Sequence, residues 1–263
     1  MPVTVADIGG TNARFAISSP KSLRLQHVTY LRCADFAGVE DAYAHLYYKT
    51  PYSYYKLRFD YRFTGEQVKG GEDWNVRNSG IMLHSQSAES NDYGQFFPVS
   101  IEIQLLGGLG AEDRSTGNVC TPGTALVMEG TTNYQHCIDS KSKTYHGDQW
   151  VSAEVVVLGG ESIFHLIEND TVLQYQSPQI GGGFTNPKMG DLDWTSRGID
   201  ESKAYWEQRE GEILTQGYIA LQAESHPIDF RNIKLLDICG CKDPRAKNYK
   251  SYFVKADSSK CVY

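Results

Sequence analysis

Hydrophobic and polar residues alternate with a period of two through much of the chain beyond residue 54. In 100–106, Ile101, Ile103 and Leu105 alternate with Glu102 and Gln104. In 79–86, Ile81 and Leu83 alternate with Met82 and His84. In 217–225, Ile219, Leu221 and Ala223 alternate with Gln222 and Glu224, and His226 follows just beyond. Side chains two apart on a strand share a face, so the pattern predicts strands with an apolar face on a core and a polar face turned to solvent. Strands are expected at 54–62, 79–86, 100–106, 150–158, 161–167, 171–175, 217–223 and 228–236. Their spacing suits a β-sandwich, and no repeat of solenoid period interrupts it. The stretches 64–78, 87–99 and 107–149 read as long loops, which on a rigid scaffold are usually functional or tied down. Residues 178–212 are polar, Gly-rich and carry Trp194 and Trp206, and read as an excursion over the sheet with a short helix near 200–209.

Composition agrees with an all-β chain. Seventeen Tyr, ten Phe, four Trp and 25 Gly favour strands and turns, because aromatic side chains fit a pleated surface. A formal net charge of −7 with scattered lysines argues against nucleic acid, which needs a basic patch to displace counterions from phosphates. No run approaches the length of apolar sequence that spans a membrane, and residues 1–20 lack the basic start and apolar centre of a secretion signal. As written, the chain is expected in the cytoplasm. The cysteines point the other way: Cys120 and Cys137 flank a Gly/Thr-rich segment, while Cys239, Cys241 and Cys261 bracket a polar tail, spacings that suit disulfides and a periplasmic or extracellular parent domain. Cys33 is the expected free thiol. Zinc is the rival use of these cysteines, but no Cys-x-x-Cys pair or Cys/His cluster at ligand spacing is present.

The sequence changes character near residue 47. Before it, Val3 to Ile17 reads as strand, Gly turn and strand, Leu23 to Leu31 as a third strand, and 35–47 as a short helix. The run Asp7-Ile8-Gly9-Gly10-Thr11-Asn12 resembles the opening of bacterial glucokinases, in which this turn lets backbone amides approach ATP phosphates. The resemblance ends near residue 46, and the second phosphate loop, adenosine site and catalytic Asp that such a kinase requires are not found downstream.

Beyond it, Lys56-Leu57-Arg58-Phe59-Asp60-Tyr61-Arg62, Arg77-Asn78-Ser79-Gly80-Ile81, Ile101-Glu102-Ile103-Gln104-Leu105 and Gly217-Tyr218-Ile219-Ala220-Leu221-Gln222, followed by Ile228-Asp229-Phe230-Arg231-Asn232-Ile233, are similar to the 3-keto-disaccharide hydrolase family. The resemblance implies an all-β, concanavalin- and laminarinase-like jelly-roll β-sandwich over 47–238 that cleaves glucosides or glycosides oxidised at the sugar 3-position. The opening strands of such domains are missing, and the glucokinase-like piece stands in their place. Residues 1–46 are therefore expected to be a fused segment whose strands finish the sandwich and cover its open edge. Residues 239–263, with Asp243-Pro244, Asn248-Tyr249 and Cys261, resemble a small cysteine-closed module appended to secreted bacterial proteins, with a structural role.

Glu102 leads the candidates for chemistry. Laminarinase-type retaining hydrolases set carboxylates along one strand as Glu-x-Asp-x-Glu, with nucleophile and acid about 5 Å apart. Here Gln104 holds the partner position, which counts against double displacement from this strand alone. A 3-keto sugar offers another path, since the ketone acidifies the neighbouring C–H and one base can start elimination of the glycosidic oxygen. The expected roles are Glu102 as base or metal ligand, Glu224 as second carboxylate, and His84 and His226 as proton carriers or ligands. Arg77 and Arg231 would orient them, Gln104 and Gln222 would touch substrate, His165 would join the face, and Trp194 and Trp206 would stack on sugar rings. Trp150 reads as core. A divalent cation such as calcium, held by Glu102, His84 and Glu224, stays open, although no recognised ligand spacing supports it. Any one of these residues could instead belong to an ordinary solvated sheet face. Carbohydrate is the expected partner, and a non-catalytic carbohydrate-binding module is the alternative function. Against that alternative, a pure binding face would show more aromatics and fewer ionisable groups. Oligomeric state is not legible.

Overall fold

The computed structural model describes residues 3–9, 12–19, 22–32, 43–183 and 193–263, with side chains for 45–183 and 193–263. In chain order the strands are β1 (Val3–Gly9), β2 (Asn12–Ser19), β3 (Ser22–Arg32), β4 (Tyr43–Tyr47), β5 (Tyr54–Phe63), β6 (Asn78–Ser85), β7 (Ile101–Leu106), β8 (Asn118–Cys120) and β9 (Thr124–Met128). They continue as β10 (Thr131–Asn133), β11 (Cys137–Ile138), β12 (Val151–Leu158), β13 (Ser162–Ile167), β14 (Asp170–Ile180), β15 (Tyr218–Glu224), β16 (Ile228–Asp237), β17 (Cys239–Gly240) and β18 (Lys255–Ala256). Among the described residues the larger sheet runs β10-β9-β14-β13-β12-β5-β16-β1-β2-β3 and the smaller β11-β8-β7-β6-β15-β4. Neighbouring strands within both are antiparallel, whereas β17 and β18 form a separate parallel pair.

One apolar cluster fills the space between the sheets. Tyr55, Leu57, Phe59, Tyr61 and Phe63 of β5 and Val151, Ala153, Val155 and Val157 of β12 meet Ile81, Leu83, Ile101, Ile103, Leu105, Ile219 and Leu221 of the smaller sheet. The molecule is thus an antiparallel β-sandwich. Each strand read from alternation is present, because half of its side chains have this core to enter.

The structure departs from the reading in three places. Of the expected helix at 35–47, residues 35–42 lie outside the described residues and Tyr43–Tyr47 is the edge strand β4. Five residues cannot repay the cost of starting a helix, whereas β15 offers them a ladder from Ala220↔Tyr47 to Glu224↔Tyr43. The expected loop at 107–149 contains β8 to β11, each of two to five residues and set by neighbours rather than by its own pattern. Trp150 is not core: it is half-buried, with the guanidinium groups of Arg62 and Arg231 over its ring, 4.6 and 3.8 Å from the ring centre.

The cysteines form Cys120–Cys137, which staples β8 to β11, and Cys241–Cys261, which closes the tail. Cys239 keeps a free thiol, and Cys33 lies outside the described residues. The excursion after β14 holds a 3-10 turn, Trp194–Arg197, and the short helix α1, Lys203–Glu207, within the expected range. No helix among the described residues is long and apolar enough to cross a membrane.

Candidate functional site

In the smaller sheet, the residues that alternate with the core set turn to its outer face. They include Gly80 and Met82 on β6, Glu102 and Gln104 on β7, Asn118 on β8, and Gln222 and Glu224 on β15, three strands adjacent in space plus β8 at their flank. This face is less wet than the alternation suggests: Gln222 is fully buried, and Glu102 and Glu224 are only 5% and 3% exposed.

Gly80 makes room for Glu102. The Glu102 carboxyl folds across the neighbouring strand so closely that a Cβ on residue 80 would collide with Oε1 and lie 2.7 Å from Cγ. Oε1 has no hydrogen-bond partner among the described residues. Burial raises the carboxyl well above its ordinary range, and the nearby Glu224 raises it further. Burial also pushes Glu224 up to about 8, against the opposing pull of Gln222 and Arg114. The Gln222 Nε2 donates to Glu224 Oε2 at 2.8 Å, which leaves its Oε1 facing His45 Nε2 at 3.4 Å. Burial holds His45 down at about 4, so it is neutral at physiological pH and can present an N–H to that oxygen. Two carboxyl groups thus share one dry face, and only one of them has an amide donor and a cation to favour its ionised form.

Arg114 reaches this face from the 107–117 segment, donating to the carbonyls of Val76 at 2.7 Å and Gly107 at 2.8 Å. It also lines a polar cleft of about 670 Å³ with Leu106, Ser115, Ser140, Lys143 and His146. Leu106 lies two residues past Gln104 on the same face, and Asn118 joins the two regions. Its Nδ2 donates to Gln104 Oε1 at 3.1 Å, and its Oδ1 accepts from Ser115 Oγ at 2.9 Å.

Of the residues expected here, the structure brings together Glu102, Glu224, Gln222 and Gln104, with His226 and Arg77 at one end. His226 is 5% exposed, neither ring nitrogen has a partner among the described residues, and it packs edge-on to Phe63. Burial, with Arg77 and Arg114 nearby, holds it at about 4 despite Asp148. Arg77 donates to Asp148 Oδ1 at 2.7 Å.

The other candidates stand elsewhere. The ladder of β6 with β15 slips between Met82 and Ser85, and His84 adopts a positive φ of 49°. That bulge re-aims His84 to the Gly159 carbonyl, 2.9 Å away, in the turn after β12. His165 alternates in phase with Ile163 and Ile167, so it points into the core and bonds the Gly117 carbonyl and Tyr175 hydroxyl, both at 2.9 Å. Arg231 lies on the larger sheet, paired with Asp60. Trp194 and Trp206 are 2% and 4% exposed, stack on each other 6.2 Å apart, and build a second small core with Val99, Ile180 and Ile199. The set Glu102, His84 and Glu224 is therefore not assembled, and the described residues contain no group of three or more His, Cys, Asp or Glu placed to hold a metal ion.

Sequence reasoning missed His45, Asn118 and Arg114. The alternation of His45 between Ala44 and Leu46 was the available signal for the first, masked by reading 35–47 as helix. Asn118 and Arg114 sit in short or irregular structure without a periodic signal.

The molecule is thus an antiparallel β-sandwich with paired carboxyl groups and amides on the outer face of its smaller sheet. The chain belongs to the 3-keto-alpha-glucoside-1,2-lyase-like domain family, which matches residues 33–236. The match begins before the change of character at residue 47. A glucokinase family match covers residues 4–55, somewhat further than the resemblance read from the sequence. The glucokinase of Hahella chejuensis (strain KCTC 2396) is 28% identical over 138 residues, 48% of this chain and 43% of that protein, so the chain spans less than half of that relative's length. Among solved structures, a protein of Parabacteroides distasonis ATCC 8503, assigned provisionally as a glycosyl hydrolase, is 18% identical over 74% of this chain and 83% of its own, with a TM-score of 0.43. The carbohydrate-binding module CBM66 from Bacillus subtilis is 7% identical over 74% of this chain and 81% of its own, with a TM-score of 0.40.

Proposed function

We propose that the protein is an enzyme that cleaves 3-keto-glycosides by elimination and rehydration on the outer face of the smaller sheet. The observation that carries this reading is the buried pair Glu102 and Glu224, both raised well above ordinary carboxyl groups and unequal in their partners. Glu224, with the Gln222 amide and the Arg114 charge, is the member that ionises first and acts as base. Glu102, without a partner on Oε1 among the described residues, keeps its proton and acts as acid. These roles reverse the expectation that Glu102 would be the base.

Glu224 takes the proton from C2 of the sugar, and the electron pair moves onto the C3 carbonyl oxygen as an enolate, whose charge Arg114 and Arg77 offset. The enolate collapses to a C1–C2 double bond as the C1–O bond breaks, and the departing oxygen takes the Glu102 proton. The pair has then exchanged roles. Glu102 removes a proton from water as the water adds to C1, and Glu224 returns its proton to C2, giving net hydrolysis and restoring both residues. A base with a pKa near 8 suits C–H abstraction near neutral pH better than an ordinary carboxylate would. The two disulfides support an oxidising compartment as the place of work.

The test is release of aglycone from matched 3-keto and parent glucosides by the full chain and by Glu102→Gln, with and without chelator. Preference for the keto substrate and a loss of about 10²- to 10⁴-fold in the variant are expected. Full turnover by Glu102→Gln would defeat the assignment. Sugar that protects the fold from heat without any turnover would point to a binding module, and chelator-sensitive turnover would bring a cation into the site.

A further inference from the structure

Burial of Trp194 and Trp206 leaves the face without the aromatic platform that the sequence suggested, and the structure supplies another candidate. Trp74 is 54% exposed in the 3-10 turn Asp73–Asn75, although burying an indole is ordinarily favourable. Its turn is fixed from two sides. The Asn78 Nδ2 donates to the Trp74 carbonyl at 3.4 Å, and Asn78 is an outer-face residue at the start of β6. Gln67 Nε2 donates to the Glu72 carbonyl at 2.8 Å and to Ser225 Oγ at 3.1 Å, which ties the same loop to the residue following Glu224. Asn78 is also the cross-strand partner of Leu106, which lines the polar cleft. The loop carrying Trp74 therefore borders the end of the face where Glu224, Asn78 and the cleft adjoin.

We propose that Trp74 is the sugar-stacking residue of this site and takes the apolar C–H face of a pyranose ring. An indole presents a broad, negatively polarised face to the slightly positive C–H bonds of a sugar, while the amides and hydroxyls of the face meet its oxygens. Trp74 is the most exposed of the four tryptophans. Trp150 is half-buried with two arginines over its ring, and the other two are buried in the second core. The assignment rests on the reading of the face as a 3-keto-glycoside site and adds the residue that sets affinity for the ring.

The experiment uses tryptophan fluorescence and kinetics on the full chain. In a Glu102→Gln background, which prevents consumption of the ligand, a 3-keto-glucoside is titrated while iodide quenching is followed. Sugar is expected to shield an iodide-accessible tryptophan, and the shielding is expected to vanish in Glu102→Gln/Trp74→Phe. In the otherwise unaltered chain, Trp74→Ala is expected to raise KM by up to about tenfold with kcat little changed, and Trp74→Phe to restore much of the difference. Shielding that persists without Trp74, or an unchanged KM in Trp74→Ala while turnover continues, would overturn the assignment and leave the proposed function standing. Absence of both shielding and turnover in the unaltered chain would overturn both.

Discussion

The outer faces of the two sheets both carry ionisable side chains between strand positions that feed the core, and they treat charge in opposite ways. On the larger sheet, Asp60 accepts from Arg231 at 3.1 Å and from Asn232 at 2.7 Å, and Asp229 accepts from Arg62 at 2.8 Å. Burial alone would raise Asp60, but Asn232 and Arg231 together bring it below its ordinary value. Each of these carboxylates has an opposite neighbour and access to water. On the smaller sheet, Glu102 and Glu224 oppose each other in a dry setting, and one carboxyl oxygen has no hydrogen-bond partner among the described residues. The comparison teaches that charged residues at alternating positions say little by themselves. Compensation distinguishes a solvated face from a site, because an uncompensated buried carboxyl costs stability and is tolerated where its raised proton affinity is used.

The largest effect is expected from Gly80→Ala. Its Cβ would displace the Glu102 carboxyl, and a shift of about 1 Å in a reacting group can cost about a hundredfold in rate. A comparable fall in turnover is expected, with a stability loss of about 1–3 kcal/mol measured by denaturant unfolding. Normal turnover would mean that the position of Glu102 does not matter.

The next effect lies in stability against pH. Because Glu224 is raised from 4.5 to about 8, the native state holds its proton more tightly than the unfolded chain. Its contribution is full below about 4.5 and is lost as pH rises through 8, with a slope of up to about 1.4 kcal/mol per pH unit per group; Glu102 has the same sign. His45, His84, His136, His165 and His226 have the opposite sign. Lowered from 6.5 to about 4, they contribute fully above 6.5 and lose that contribution as pH falls through 4. Urea midpoints measured across this range should decline on both sides of a maximum. Glu102→Gln should shrink the alkaline decline and leave the acid one unchanged, and an unaltered alkaline limb would remove the pair as its cause.

The smallest effect is expected on the other face. Arg231→Ala loses a half-exposed ion pair with Asp60 and a contact with Trp150, so thermal or urea unfolding should report about 1 kcal/mol or less, with turnover unchanged. A large loss of turnover would move function to the larger sheet.

Alternation revealed the strands that build the core, since each has enough residues for a period of two to register. It also placed Glu102, Gln104, Gln222 and Glu224 together, because phase along a strand fixes face. It failed where phase is broken or inherited. The slip in β6 turns His84 away, and nothing in Met82-Leu83-His84-Ser85 announces it. His165 follows the alternation inward with Ile163 and Ile167, although its polarity alone suggests an outward position. Strands β8 to β11 exist through partners supplied by β7, β14 and one another. The polar stretch around Trp194 and Trp206 suggests exposure, whereas their burial depends on a small core assembled from Val99, Ile180, Ile199 and each other.

The position of β15 bears on how the molecule comes into being. It lies between β4 and β6, while β16 lies between β5 and β1 in the other sheet, so each sheet receives a late segment between two earlier strands. A chain still emerging from the ribosome can pair β6 with β7 and β12 with β13, but it must keep the facing edges of β4, β5 and β6 open until the last quarter of the chain has been synthesised. Such closure over long sequence separation is slow, and the waiting edges invite pairing with other chains. Glu224 arrives on the strand that closes the smaller sheet. Closure of the smaller sheet by β15 and the meeting of the two carboxyl groups are therefore one event.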